Sequence, residues 1–290
     1  MKISQQDYRN KYEIRVFHMP RSGSLAIKQW IASMFDEPIY FFNWPLYTHL
    51  RIDPFKAGKI WKGLKGTPAE KFFVPLPNMT HWDEKDIEPI RLKQKECLMY
   101  CHENYDIRDI KNLSVDRDVN IGKSEFRFDI LILRDIFNWV ASTIMDRGFQ
   151  DSSIIRASYY KHAVQRIWKW KACAIEFLGE SKYLENEKIC ISFNKWFVDE
   201  EYRISITNKL GLKYSTVTLD DVPRTRRGSS FDGLIYDGRA REMDCLNRWK
   251  VFRDNILYQE LFKKNKDIIE LSDRIFGKVV DEDFISKLES

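Results

Sequence analysis

Apolar and polar positions alternate between two rhythms along the chain. Four short stretches are dense in Ile, Val, Leu, Phe and Cys: 14–18, 97–101, 128–133 and 188–193. Each predicts a buried strand. Between them the spacing becomes helical. Ile27, Trp30, Ile31, Met34 and Phe35 fall at i, i+3, i+4, i+7 and i+8, one apolar face of a helix behind the first strand. Phe137, Val140, Ala141 and Ile144 mark another behind the third strand. A long helix is predicted between Ser152 and Gly179, with Ala163, Ile167, Trp170, Ala174 and Phe177 inward and Trp168 and Trp170 as packing residues. Asp199 caps a helix that runs to Leu210 and stops at Gly211. Met243, Leu246, Trp249, Phe252 and Ile256 predict a further helix from Arg239, and 263–290 reads as an amphipathic surface helix. Strands alternating with helices predict an α/β fold of three layers, a mostly parallel central sheet flanked by helices on both faces. In such a sheet the ligand crevice opens at the carboxyl ends of the strands. Arg21, His102, Arg134 and Phe193 all fall there.

Three segments interrupt the rhythm. Residues 36–96 are broken by prolines and rich in aromatics, and they read as pocket wall and lid. Residues 212–238 form a second loop of that kind, while 106–127 is a charged surface excursion. No repeat or linker divides the chain, so 1–290 is expected to be a single domain. With 43% hydrophobic and 14% aromatic residues the chain is globular, not disordered. A formal charge of +5 suits an anionic ligand, and the absence of dense Lys/Arg tracts argues against nucleic acid. The five cysteines lack regular spacing, as expected of reduced thiols. Cys97, Cys101 and His102 lie close together, but no second ligand pair follows, so no metal site is expected. Met1–Asn10 is polar, and no apolar run approaches the ~18 residues needed to span a bilayer. A cytoplasmic protein without a membrane anchor is the expectation.

The chemistry gathers at the ends of two strands. Pro20, Arg21, Ser22, Gly23, Ser24 and Leu25 make a tight loop between the first strand and its helix. Such a loop aims backbone N–H groups and the positive helix end at one spot, and Arg21 and two serines add donors there. An ordinary βα turn would share these features. The nucleotide loop G-x-x-x-x-G-K-[ST] is absent. After the strand 128–133 comes Arg134-Asp135, with Ser142 eight residues beyond Arg134 on the following helix.

Together these stretches resemble the sulfotransferases that use PAPS (3′-phosphoadenosine 5′-phosphosulfate). Pro20-Arg21-Ser22-Gly23-Ser24 is similar to their 5′-phosphosulfate loop, and Arg134 with Ser142 to their 3′-phosphate site. Arg226-Arg227-Gly228-Ser229-Ser230-Phe231 is similar to the late segment that closes over the same phosphate. The order matches, across residues 14–231. The resemblance implies a P-loop-like fold, PAPS as sulfuryl donor with PAP as product, no metal, and cofactor contacts from Arg21, Ser22, Gly23, Ser24, Leu25, Arg134, Ser142, Phe193, Arg226, Arg227 and Gly228. Phe193 would lie by the adenine, although Asn194 stands where the family often has an acid. Arg21 takes the place of the family's Lys, so electrostatic stabilisation of the leaving phosphate is expected of it, not proton donation.

A hydroxyl acceptor also needs a base. His102 stands at the end of the strand that carries the family's catalytic His, with Glu103 beside it. Neighbours on a strand point to opposite faces, so one of the two enters the site. His102 can equally be a buried structural histidine, and His49 and His81 are further candidates, while His18 and His162 read as structural. The acceptor is expected to be a small molecule, of the specialised-metabolite kind, receiving sulfate on a hydroxyl, amino or guanidino group. Competing readings are a metabolite kinase of related fold and a non-catalytic protein that holds 3′-phosphoadenosine nucleotides.

Overall fold

The structure is a computed structural model, and it describes residues 8–43, 46–48, 51–53, 67–75, 84–113, 118, 121–145, 155, 157–224 and 228–289. Five strands build the central sheet: β1 (Asn10–His18), β2 (Tyr40–Asn43), β3 (Lys95–Glu103), β4 (Ser124–Leu133) and β5 (Glu187–Ser192). Their order is β2-β3-β1-β4-β5, and all four pairings are parallel. The α/β fold with a parallel sheet between helices is therefore as expected. The edge strand β2 was not predicted. It is only four residues long and lies inside the proline-rich stretch, too short for an alternating pattern to emerge.

The pleat divides the strand residues between two cores. Phe17, Tyr100, Leu131 and Leu133 face α3 (Ile136–Ile144) and α4 (Ala157–Phe177). Ile14, Val16, Cys101 and Ile132 face α1 (Ser24–Ala32) and α6 (Glu200–Leu210). On the first face a polar layer crosses the strands: Arg15 donates to Asp129 through Nε at 2.7 Å and through a second nitrogen at 2.8 Å. Asn186 adds its backbone N–H and side-chain amide to the same carboxylate. Such a pair in the interior is tolerated because every lone pair is met. The five cysteines are free thiols. Among the described residues no helix is long and apolar enough to cross a membrane.

Three expectations need correction. The helix from Arg239 is not continuous: the chain makes 3-10 turns at Ala240–Glu242 and Arg248–Phe252 before α7 (Ile256–Lys263). The carbonyls of Cys245 and Leu246 are taken by the side chains of Arg134 and Asn138, which a helix would have consumed internally. The tail is not a single surface helix. It forms α8 (Lys266–Phe276) and α9 (Glu282–Glu289), and Ile268, Phe284 and Leu288 insert into the core. Finally, only Trp170 of the two tryptophans is a packing residue. Trp168 is 42% exposed, with the Arg108 guanidinium over its ring at 4.7 Å.

Candidate active site

Beyond β1 the chain turns sharply, because Arg21 (φ 67°) and Gly23 (φ 75°) both adopt the left-handed region. For Arg that conformation is uncommon and must be held by its surroundings. Ser22 Oγ donates to the Met19 carbonyl at 2.8 Å, and Trp139 Nε1 donates to the Pro20 carbonyl at 2.8 Å. An Arg134 nitrogen reaches the Arg21 carbonyl at 3.4 Å. Gly23 is the N-cap of α1, with no side chain capping that end. The first turn therefore presents its N–H groups and positive dipole end to the cavity that Gly23, Ser24 and Leu25 line. A Cβ on Gly23 would sit 2.1 Å from Phe193 Cε2. Gly23→Ala should then cost about 1–3 kcal/mol of stability through backbone strain alone. A lowered urea midpoint would register it; an unchanged one would mean that the loop is not held as described.

Arg134 follows β4 and is 2% exposed. It donates to Ser142 Oγ at 2.9 Å and to the Cys245 carbonyl, and its guanidinium lies 5.0 Å from the Phe193 ring centroid. Trp170 Nε1 fixes the Arg134 carbonyl at 2.9 Å. Among the described residues no carboxylate pairs with Arg134, and its Nε has no hydrogen-bond partner. Burial, with the Arg248 guanidinium next in weight, brings its pKa down to about 10, so it stays cationic at neutral pH. Burying a cation without a counter-ion is costly, and a bound anion removes that cost. Asp135 is not that partner. It caps α3 by accepting from Asn138 N at 2.8 Å and also accepts from Asn194 Nδ2 at 2.9 Å. Asn194 thus serves to join β5 to this strand end.

The base candidates part company. Strand β3 runs through both His102 and Glu103, so they face opposite sides. His102 is 1% exposed and stacks on Phe17, with centroids 4.7 Å apart and an interplanar angle of 7°. Burial, and then the Arg15 charge, press its pKa down to about 3. It belongs to the core behind the sheet, not to the cavity. Glu103 is partly exposed and lines the cavity together with Arg21, Gly23 and Arg134. His18 is also buried, with Lys28 Nζ 3.2 Å from its Nε2, and burial followed by the Lys28 charge lowers its pKa. His49, His81, Arg226 and Arg227 lie outside the described residues.

Gly228 opens the late segment with φ 85°, where a Cβ would lie 2.2 Å from the Gly233 carbonyl oxygen. Ser229 and Asp232 both accept from Arg248, each at 2.8 Å. The Arg248 guanidinium also covers the Phe231 ring at 4.9 Å. Arg248 was not legible in the sequence, since its neighbours read as a regular helix whose outer face it would share. The cavity that these elements enclose measures about 550 Å³ and has an aromatic wall of Phe193, Trp196 and Phe197. That volume suits a nucleotide-sized ligand. Among the described residues no group of His, Cys, Asp or Glu is arranged to hold a metal ion. The arrangement can seat one anion on the loop and α1, and a second at Arg134, with a flat ring system beside them.

No family model matches the sequence, and no curated protein matches it. Among solved structures, the sulfotransferase domain from the Synechococcus PCC 7002 olefin synthase is similar, with a TM-score of 0.51 and 13% identity. The likeness covers 95% of this chain and 98% of that one. At such low identity it establishes a shared fold.

Proposed function

We propose that this chain is a sulfotransferase that takes the sulfuryl group from PAPS and passes it to a small-molecule acceptor, releasing PAP. The observation that carries this reading is Arg134: a buried cation without a carboxylate partner among the described residues, on the same cavity as an uncapped helix N-terminus. Two separate anion sites beside an aromatic wall suit a nucleotide phosphorylated at two positions. In the reaction the bond from sulfur to the bridging oxygen of the 5′-phosphate breaks. A bond from sulfur to the acceptor oxygen forms, and the acceptor's proton leaves. The loop N–H groups and Arg21 would stabilise the charge that grows on the leaving phosphate. Arg134 and Ser142 would hold the 3′-phosphate, which anchors the nucleotide far from the chemistry. Glu103, the carboxylate on the cavity wall, would accept the proton, since His102 lies behind the sheet.

Melting curves test the nucleotide part directly. PAP should raise the melting temperature, because it neutralises a buried cation that the unfolded chain exposes to water. AMP, which lacks the 3′-phosphate, should raise it much less. A larger rise with ATP and Mg²⁺ than with PAP would favour a kinase instead. With PAP binding established, release of PAP from PAPS in the presence of phenolic, alcohol and amine acceptors separates an enzyme from a binding protein.

A further inference from the structure

The cavity has two unlike ends. One is cationic and rich in N–H groups, at Arg21, Gly23 and Arg134. The other is mainly aromatic and apolar, and the side chains of Arg203, Arg224 and Arg241 share its wall with the Asp221 carboxyl. Phe193 joins the two, lying against Gly23 and Arg134 and stacking on Phe197 with centroids 5.8 Å apart, and Leu219, Val222 and Met243 extend the apolar lining. Asp221 is unexplained by the fold. Its Oδ2 is buried and has no hydrogen-bond partner. Of the nearby cations, Arg224 pairs with Asp237 at 2.9 Å and Arg241 with Asp220, and Arg224 and Lys71 act on Asp221 through their charge alone. Burial pushes the Asp221 carboxyl up, and the Asp237 and Asp220 carboxylates add to the effect. A carboxyl kept in such surroundings without a hydrogen-bond partner among the described residues asks for a donor from a ligand.

We propose that Asp221 reads the nucleotide base, accepting a hydrogen bond from an exocyclic amino group, so that the cavity selects an amino-bearing base over the same ring without one. This rests on the nucleotide reading above and adds a specificity residue to it. The aromatic wall supplies stacking, which accepts any flat ring, and so cannot choose between bases. The anion sites touch only phosphates and cannot choose either. Asp221 is the one described acidic side chain beside the aromatic lining, and on an adenine-type ring the exocyclic amino group is the N–H donor that can meet it.

The test compares two ligands that differ at a single group: adenosine 3′,5′-bisphosphate and purine riboside 3′,5′-bisphosphate, which carries hydrogen in place of the amino group. Calorimetric titration of the unaltered protein should favour the amino compound by about tenfold or more, the scale of one hydrogen bond to a charged acceptor. Asp221→Ala should bring the two ligands to within about twofold, and Asp221→Ser provides the same truncation if the alanine variant does not fold. Asp221→Asn, which keeps an acceptor oxygen, should restore most of the preference. Equal binding of both ligands to the unaltered protein overturns the assignment, and so does a preference that survives truncation of Asp221. Binding of neither ligand overturns the nucleotide reading itself, and the two failures are thereby told apart.

Discussion

Glu103→Gln should lower turnover of a hydroxyl acceptor by about 10²-fold or more while affinity for PAP stays within about twofold. The expectation follows from the pleat. Glu103 shares the cavity with Arg21, whereas His102 is stacked on Phe17 behind the sheet. Glutamine keeps the size of the side chain and removes its ability to take a proton. The loss should shrink for acceptors already deprotonated at the assay pH, because they need no base. His102→Ala should act differently, lowering stability by the loss of a buried aromatic contact while the folded fraction keeps its turnover. Stopped or continuous assays of PAP release on both variants decide the matter. Normal turnover in Glu103→Gln would remove the carboxylate from the mechanism.

Removing the buried cation should produce the second large effect. Arg134→Met should weaken PAP binding by about 1.5–3 kcal/mol, the worth of a charge-assisted contact, and should barely alter AMP binding. The side chain lies on the cavity wall and lacks an acidic partner among the described residues, so its charge is left for a ligand. Ser142→Ala should follow in the same direction with a smaller loss, since the hydroxyl both accepts from Arg134 at 2.9 Å and can donate onward. Equal losses for PAP and AMP would mean that the 3′-phosphate is bound elsewhere.

Much of this was legible in the sequence because it depends on local rules. Four of the five sheet strands declare themselves as short apolar runs, and the loop at Arg21–Ser24 is marked by a strand, a proline and a glycine before a helical face. Arg134 was visible as the residue that ends a continuous apolar strand. What stayed hidden depends on distant partners. Which of His102 and Glu103 enters the cavity is a one-residue question of register, and register is decided by pairing with β1, not by the strand alone. Asp221 lies in irregular chain, where spacing carries no signal, and Arg248 opens a 3-10 turn in a stretch whose period reads as a longer helix, so only the surrounding fold gives either side chain its meaning. The broken helix after Arg239 failed for the same reason: its apolar period is real, but side chains from α3 and the end of β4 claim its carbonyls.

The strand order has a consequence for how the molecule comes into being. Strand β1 sits at the middle of the sheet, yet its side-chain bonds reach partners 85 and 114 positions further along the chain. Arg134 waits for a carbonyl 111 positions beyond itself. Closing such long loops is slow, because their entropy is lost before any contact rewards it. A nascent chain that has emerged only as far as α3 already holds the whole loop at Arg21–Ser24 and the Arg134 guanidinium. It still lacks Phe193, Cys245 and the segment that anchors Arg248. The cavity is thus a late product of folding, and a ligand that needs all of its walls can report that the last third of the chain has docked.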